Sequence, residues 1–138
     1  MEFSRRETIA LGLGAAAMTM LPMRVNAAYE DIIADFTGGA DIADGDVVLT
    51  TPEIAENGNT VPIAVDAPGA ESIMVVATGN PTPKVAVFVF GPLAASQSAS
   101  TRIRLAGTQD LVAIAKMSDG SFKRATSTVK VTIGGCGG

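Results

Sequence analysis

What this chain can do chemically is narrowed first by what it lacks. Its 138 residues include one cysteine and no histidine. A Cys–His nucleophilic pair is therefore impossible, and a zinc site, which draws on several Cys and His ligands, is not expected. The thiol sits in the terminal stretch Gly134-Gly135-Cys136-Gly137-Gly138. Glycine has no Cβ and loses the most backbone entropy on ordering, so Gly134, Gly135, Gly137 and Gly138 predict a mobile, sterically thin arm. From Ile133 to Cys136 the backbone can extend roughly 10 Å, at about 3.3–3.6 Å per residue. A thiol mounted this way suits a deep, narrow active site on another protein, because no neighbouring side chain obstructs it. Lone cysteines are commonly small core residues, but one third from the end is not expected to be. Cys136-Gly137-Gly138 also fails as a prenylation signal, which needs the cysteine fourth from the end and aliphatic residues after it.

The reactivity of Cys136 follows from the same neighbourhood. An ordinary thiol, with a pKa of about 8.5, is only a few per cent thiolate at neutral pH. Reactive cysteines are activated by nearby cations, and the nearest one in sequence is Lys130. Activation is therefore expected from whichever active site the arm enters. A carrier thiol needs that restraint, since a self-activated one would scramble with other thiols. No catalytic residue, metal ligand or cofactor site is read from the chain.

The opposite end addresses the compartment. Ser4-Arg5-Arg6-Glu7-Thr8-Ile9-Ala10 is a twin-arginine sequence, and a weakly apolar run continues to about Met23. Val25-Asn26-Ala27 then offers the small residues a signal peptidase inspects. The apolar run is shorter than the about 20 residues of a membrane span, and no cysteine follows it as in a lipoprotein. The pattern predicts a twin-arginine leader over residues 1–27, cleavage after Ala27 and a bacterial periplasmic product. The rest divides into a domain at 28–133 and the arm at 134–138. The leader removes three arginines and two glutamates, so the net charge moves from −4 to −5. That modest acidity argues against nucleic acid or an anionic membrane as partner. Exported domains usually pair their cysteines, so a single one implies an intermolecular disulfide or a reactive thiol.

A rigid element has to carry such an arm, and the pattern between the two ends supplies one. Tyr29, Ile32, Ile33 and Phe36 fall on one helical face, and Gly38-Gly39 stops that helix. The acidic residues near its start suit the positive end of the helix dipole. From Asp46 the period changes to two. Strand-like runs appear at Val47–Leu49, Val61–Val65, Ser72–Thr78, Val85–Phe90, Thr101–Leu105 and Asp110–Met117. Asp119-Gly120 reads as a hairpin turn into a strand starting near Phe122, and Val129–Ile133 alternates cleanly. About seven short strands without helices between them predict an all-β, immunoglobulin-like sandwich with a short N-terminal helix. Two of the runs, around Met74 and around Phe88 and Phe90, are apolar on both faces. They belong either at the sandwich centre under the helix or against a second chain. Arg102, Arg104, Lys123 and Arg124 read as a solvated sheet face, with contact to acidic partner surfaces as the alternative.

Leader, strand pattern and terminal motif together make the chain resemble the SoxY family, the sulfur-compound carriers of the bacterial thiosulfate-oxidising Sox system. The resemblance covers essentially the whole chain. Thr51-Pro52-Glu53-Ile54-Ala55-Glu56-Asn57-Gly58, with Val61-Pro62 after it, matches the family's internal stretch, and the terminal Gly-Gly-Cys-Gly-Gly is the more specific motif. The resemblance implies a carrier rather than an enzyme, with Cys136 as the covalent attachment point. It implies as partners a haem-containing thiosulfate-coupling enzyme, a dimanganese hydrolase and a molybdenum-haem sulfane dehydrogenase. A second small β-sandwich subunit, SoxZ, would form a heterodimer and be exported together with this chain by its leader. Two other readings stand beside this one. An exported binding or structural module would use Cys136 for a disulfide-linked dimer. Ubiquitin-like sulfur carriers also end in Gly-Gly, but they are cytoplasmic α/β folds without a leader.

Overall fold

The computed structural model describes residues 25–132. One helix, α1 (Val25–Thr37), precedes nine strands: β1 (Ile42–Asp44), β2 (Val48–Thr50), β3 (Ile54–Ala55), β4 (Val61–Asp66), β5 (Ala70–Ala77), β6 (Lys84–Val89), β7 (Ser98–Ile103), β8 (Gln109–Met117) and β9 (Phe122–Val131). They form an immunoglobulin-like sandwich. The larger sheet runs β1-β9-β8-β5-β6, with β3 added beside β9, and the smaller runs β2-β4-β7. Among the described residues no helix is long and apolar enough to cross a membrane.

The strand pattern explains the layers. β4 alternates buried Val61, Ile63 and Val65 with more exposed neighbours, so a single face turns inward. β5 and β8 are buried on both faces because each has something on either side. Ile73, Val75, Leu111 and Ala113 pack toward the small sheet, together with Val61, Ile63 and Val65. Met74, Val76, Val112, Ile114 and Phe122 pack on the other face against Tyr29, Ile32, Ile33 and Phe36 of α1. Phe36 meets Phe122 edge-on, with ring centroids 5.9 Å apart. The helix is thus the cover that a sheet apolar on both sides requires.

Several expectations need correction. The strands number nine rather than about seven. β1 and β3, three and two residues long, are too short to show a period, and both exist by pairing parallel to β9. The runs near Phe122 and Val129 are a single ten-residue strand. The helix begins at Val25, so its first turn holds no acidic residue. Cleavage after Ala27 would shorten it and move Glu30 and Asp31 into that turn. Its end behaves as expected. Gly38 and Gly39 both take positive φ, and the Gly39 N–H reaches back to the Ala34 carbonyl at 3.2 Å. For Met74, Phe88 and Phe90 the structure bears out the core reading over the second-chain one. Met74 lies under the helix, while Phe88 and Phe90 pack against the inter-sheet core.

Candidate functional site

Cys136 and Gly134, Gly135, Gly137 and Gly138 lie outside the described residues, as do Arg5 and Arg6. Ala27 falls in the first turn of α1. What the structure does place is the root from which the terminal segment departs, at the C-terminal end of β9.

That root is held from both sides. Toward β3, the Lys130 N–H donates to the Glu53 carbonyl at 2.9 Å and the Thr132 N–H to the Ala55 carbonyl at 3.1 Å. Thr51 and Ser127 add a hydroxyl–hydroxyl bond of 2.6 Å lower on the same edge. Toward β8, the Val131 N–H donates to Thr108 Oγ1 at 2.9 Å. Val129 is fully buried, and Thr132 is exposed. The chain thus passes from a fixed strand to solvent within three residues. The 51–58 stretch, far away in sequence, lies beside Lys130, Val131 and Thr132, the last described residues before the terminal motif. β3 is the outer neighbour of the strand that carries the thiol.

The strand directions put the other elements of this pole in place. β5 and β7 end there, and β4, β6 and β8 begin there. Its loops are knit by Asn80 and Gln109, which sequence reasoning missed. The Asn80 side chain donates to the Arg104 carbonyl at 2.8 Å and accepts from the Ala106 N–H at 2.9 Å. Gln109, 8% exposed, donates to Asn80 Oδ1 at 2.8 Å and to the Gly107 carbonyl at 3.0 Å, and accepts from the Gly79 N–H at 2.9 Å. Asn80-Pro81 and Gly107 signal turns in the sequence. A glutamine opening a strand gives no sign that its amide ties two of those turns together.

One outward apolar surface is on β6. β6 is the end strand of the large sheet, so its outer backbone edge has no strand partner among the described residues. Val87 and Val89 on it are 46% and 78% exposed. Val87 pairs with Met74, which places it on the helix side of the sheet.

Residues 33–136 match the family model described as sulfur oxidation protein SoxY. The sulfur carrier protein SoxY from Chlorobium limicola f thiosulfatophilum is 36% identical, with a TM-score of 0.68 over 78% of this chain and 98% of that one. A superoxide reductase (neelaredoxin) from Ignicoccus hospitalis is 17% identical, with a TM-score of 0.56 over 63% of this chain and 80% of that one, a likeness of fold alone. No curated protein matches the chain.

Proposed function

The chain belongs to the SoxY family of sulfur oxidation proteins, and from that membership we propose that it is a periplasmic carrier holding sulfur intermediates covalently on Cys136. The observation that carries this reading is the position of the only cysteine, five residues beyond a strand end hydrogen-bonded on both sides. A carrier needs a fixed base, a short reach and a thiol without its own activating neighbours.

The chemistry balances around that sulfur. Joining the thiol to thiosulfate forms an S–S bond, releases a proton and sends two electrons to the haem-containing coupling enzyme. Water then cleaves the terminal sulfonate as sulfate at the dimanganese hydrolase, leaving a persulfide. The sulfane dehydrogenase takes six electrons from the outer sulfur as water oxygen is added. A last hydrolysis releases sulfate and restores the thiol. The chain itself contributes attachment and presentation, and it is not an enzyme on this reading. The twin arginines Arg5-Arg6 and the small residues up to Ala27 support export. A SoxZ-like second subunit seats along β6, where a free strand edge and exposed Val87 and Val89 offer backbone pairing and apolar contact together.

Intact mass of the mature protein from thiosulfate-grown cells, taken without and with reductant, tests the proposal. Reducible increments on Cys136 matching thiosulfate or sulfane sulfur are expected. A bare thiol in every preparation, or only a disulfide-linked dimer, overturns the carrier reading in favour of a binding module.

A further inference from the structure

Chain length restricts what can surround Cys136. Thr132 is hydrogen-bonded to β3, and Cys136 follows four residues later. Its Cα therefore stays within about 14 Å of that anchor by any path. An enzyme that encloses this thiol must bring the rim of its entrance against the pole where β9 ends.

The charge on that pole differs from the rest of the domain. Seven Lys and Arg lie within residues 25–132. Three are paired: Lys116 with Glu71 at 3.9 Å, Lys123 with Asp46 at 3.5 Å and Arg124 with Asp44 at 3.0 Å. These sit toward the far end of the strands. The other four, Lys84, Arg102, Arg104 and Lys130, form no ion pair among the described residues, and all four stand at the β9 exit pole. Lys84, Arg102 and Arg104 line a cleft of about 490 Å³ between the start of β6 and the end of β7, floored in part by Val85 and Ile103. Among the described residues no carboxylate lines it, although the chain as a whole is acidic. Its loop wall is fixed by the Asn80 bonds to Arg104 and Ala106. β6 lies three strands from β9, about 14 Å at roughly 4.8 Å per strand, so the cleft falls under the rim of anything that has taken in the thiol.

Resting on the carrier reading, we infer that the Lys84–Arg102–Arg104 cleft is the electrostatic docking surface for enzymes whose entrance rims carry carboxylates. The cations are exposed, and a small oxoanion in so open a cleft gains little against water. A protein rim excludes water over the whole cleft, and exposed charge of one sign speeds encounter by about 10- to 1,000-fold. Such a surface serves several enzymes in turn, because it raises the rate of meeting without slowing release.

The test measures loading of Cys136 by the thiosulfate-coupling enzyme, read by intact mass across ionic strength, alongside affinity for that enzyme. Arg102→Glu/Arg104→Glu is compared with the native chain and with Lys116→Glu at the far end. The double variant is expected to load and bind about tenfold or more slowly at low salt and to lose most of the salt dependence. Its thiol should react normally with a neutral disulfide reagent, and Lys116→Glu should match the native chain. Native loading by the double variant overturns the inference, as does equal slowing in Lys116→Glu. Millimolar sulfate that binds the native cleft and blocks docking reassigns it to a small oxoanion. Failure of the native chain to load at all strikes the carrier reading instead, while affinity still reports on the cleft.

Discussion

Gln109 illustrates how much of this molecule depends on single polar side chains near the point where the thiol leaves the fold. Its amide holds three partners from a position almost closed to water. A leucine there would fill similar space but leave the Gly79 N–H and the Gly107 carbonyl without their bonds. Each such orphan costs about 1–3 kcal/mol. Gln109→Leu should therefore lower unfolding stability by about 2 kcal/mol or more in a denaturant titration, with faster amide exchange at Gly79 and Ala106. A substitution that leaves both unchanged would mean that water replaces the amide easily. The terminal thiol is read from the sequence alone, since Cys136 lies outside the described residues. Gln109 was not legible there, because its importance comes from a contact 30 residues away in the chain.

Between elements, legibility follows strand length and neighbourhood. β4 announces itself through the alternation of its buried Val61, Ile63 and Val65, and β5 through the unbroken apolar run from Ile73 to Ala77. β1 and β3 carry no period of their own and are strands only because β9 extends along them. β6 misleads for a different reason. Its sequence is as apolar as that of β5, yet it lies at the edge of the sheet. Sequence alone does not distinguish a strand buried by its own fold from one left for another chain to cover. On the proposed reading that chain is the second subunit, and the strand supplies a sharp test. Val87→Glu with Val89→Glu changes exposed side chains, so unfolding should shift by no more than about 0.5 kcal/mol. Co-purification of the two subunits should be lost. Retained pairing would move the interface off β6.

For the whole molecule, the division of labour lies between a rigid body and a fixed length of chain. Among the described residues, the hydrogen bonds that hold the exit of β9 run to Thr132. Changes beyond that residue should therefore leave the fold alone. Deleting Gly134 and Gly135 brings Cys136 from about 14 Å to about 7 Å of the anchor, at 3.3–3.6 Å per residue. The unfolding temperature should stay within about 1 °C of the native value, since the sequence places both glycines in the arm outside the sandwich domain. Reaction with a small disulfide reagent should also proceed at the native rate. Enzymatic loading should fall by about 100-fold, because a misplacement of only ångströms at a reacting centre already costs that much. Gly135→Val keeps the length but adds bulk, and should slow loading less than the deletion does. If the shortened chain loads normally, the thiol does not need to travel into its partner. The docking surface would then have to be sought around the 51–58 stretch beside β9, where Ile54 stands 55% exposed.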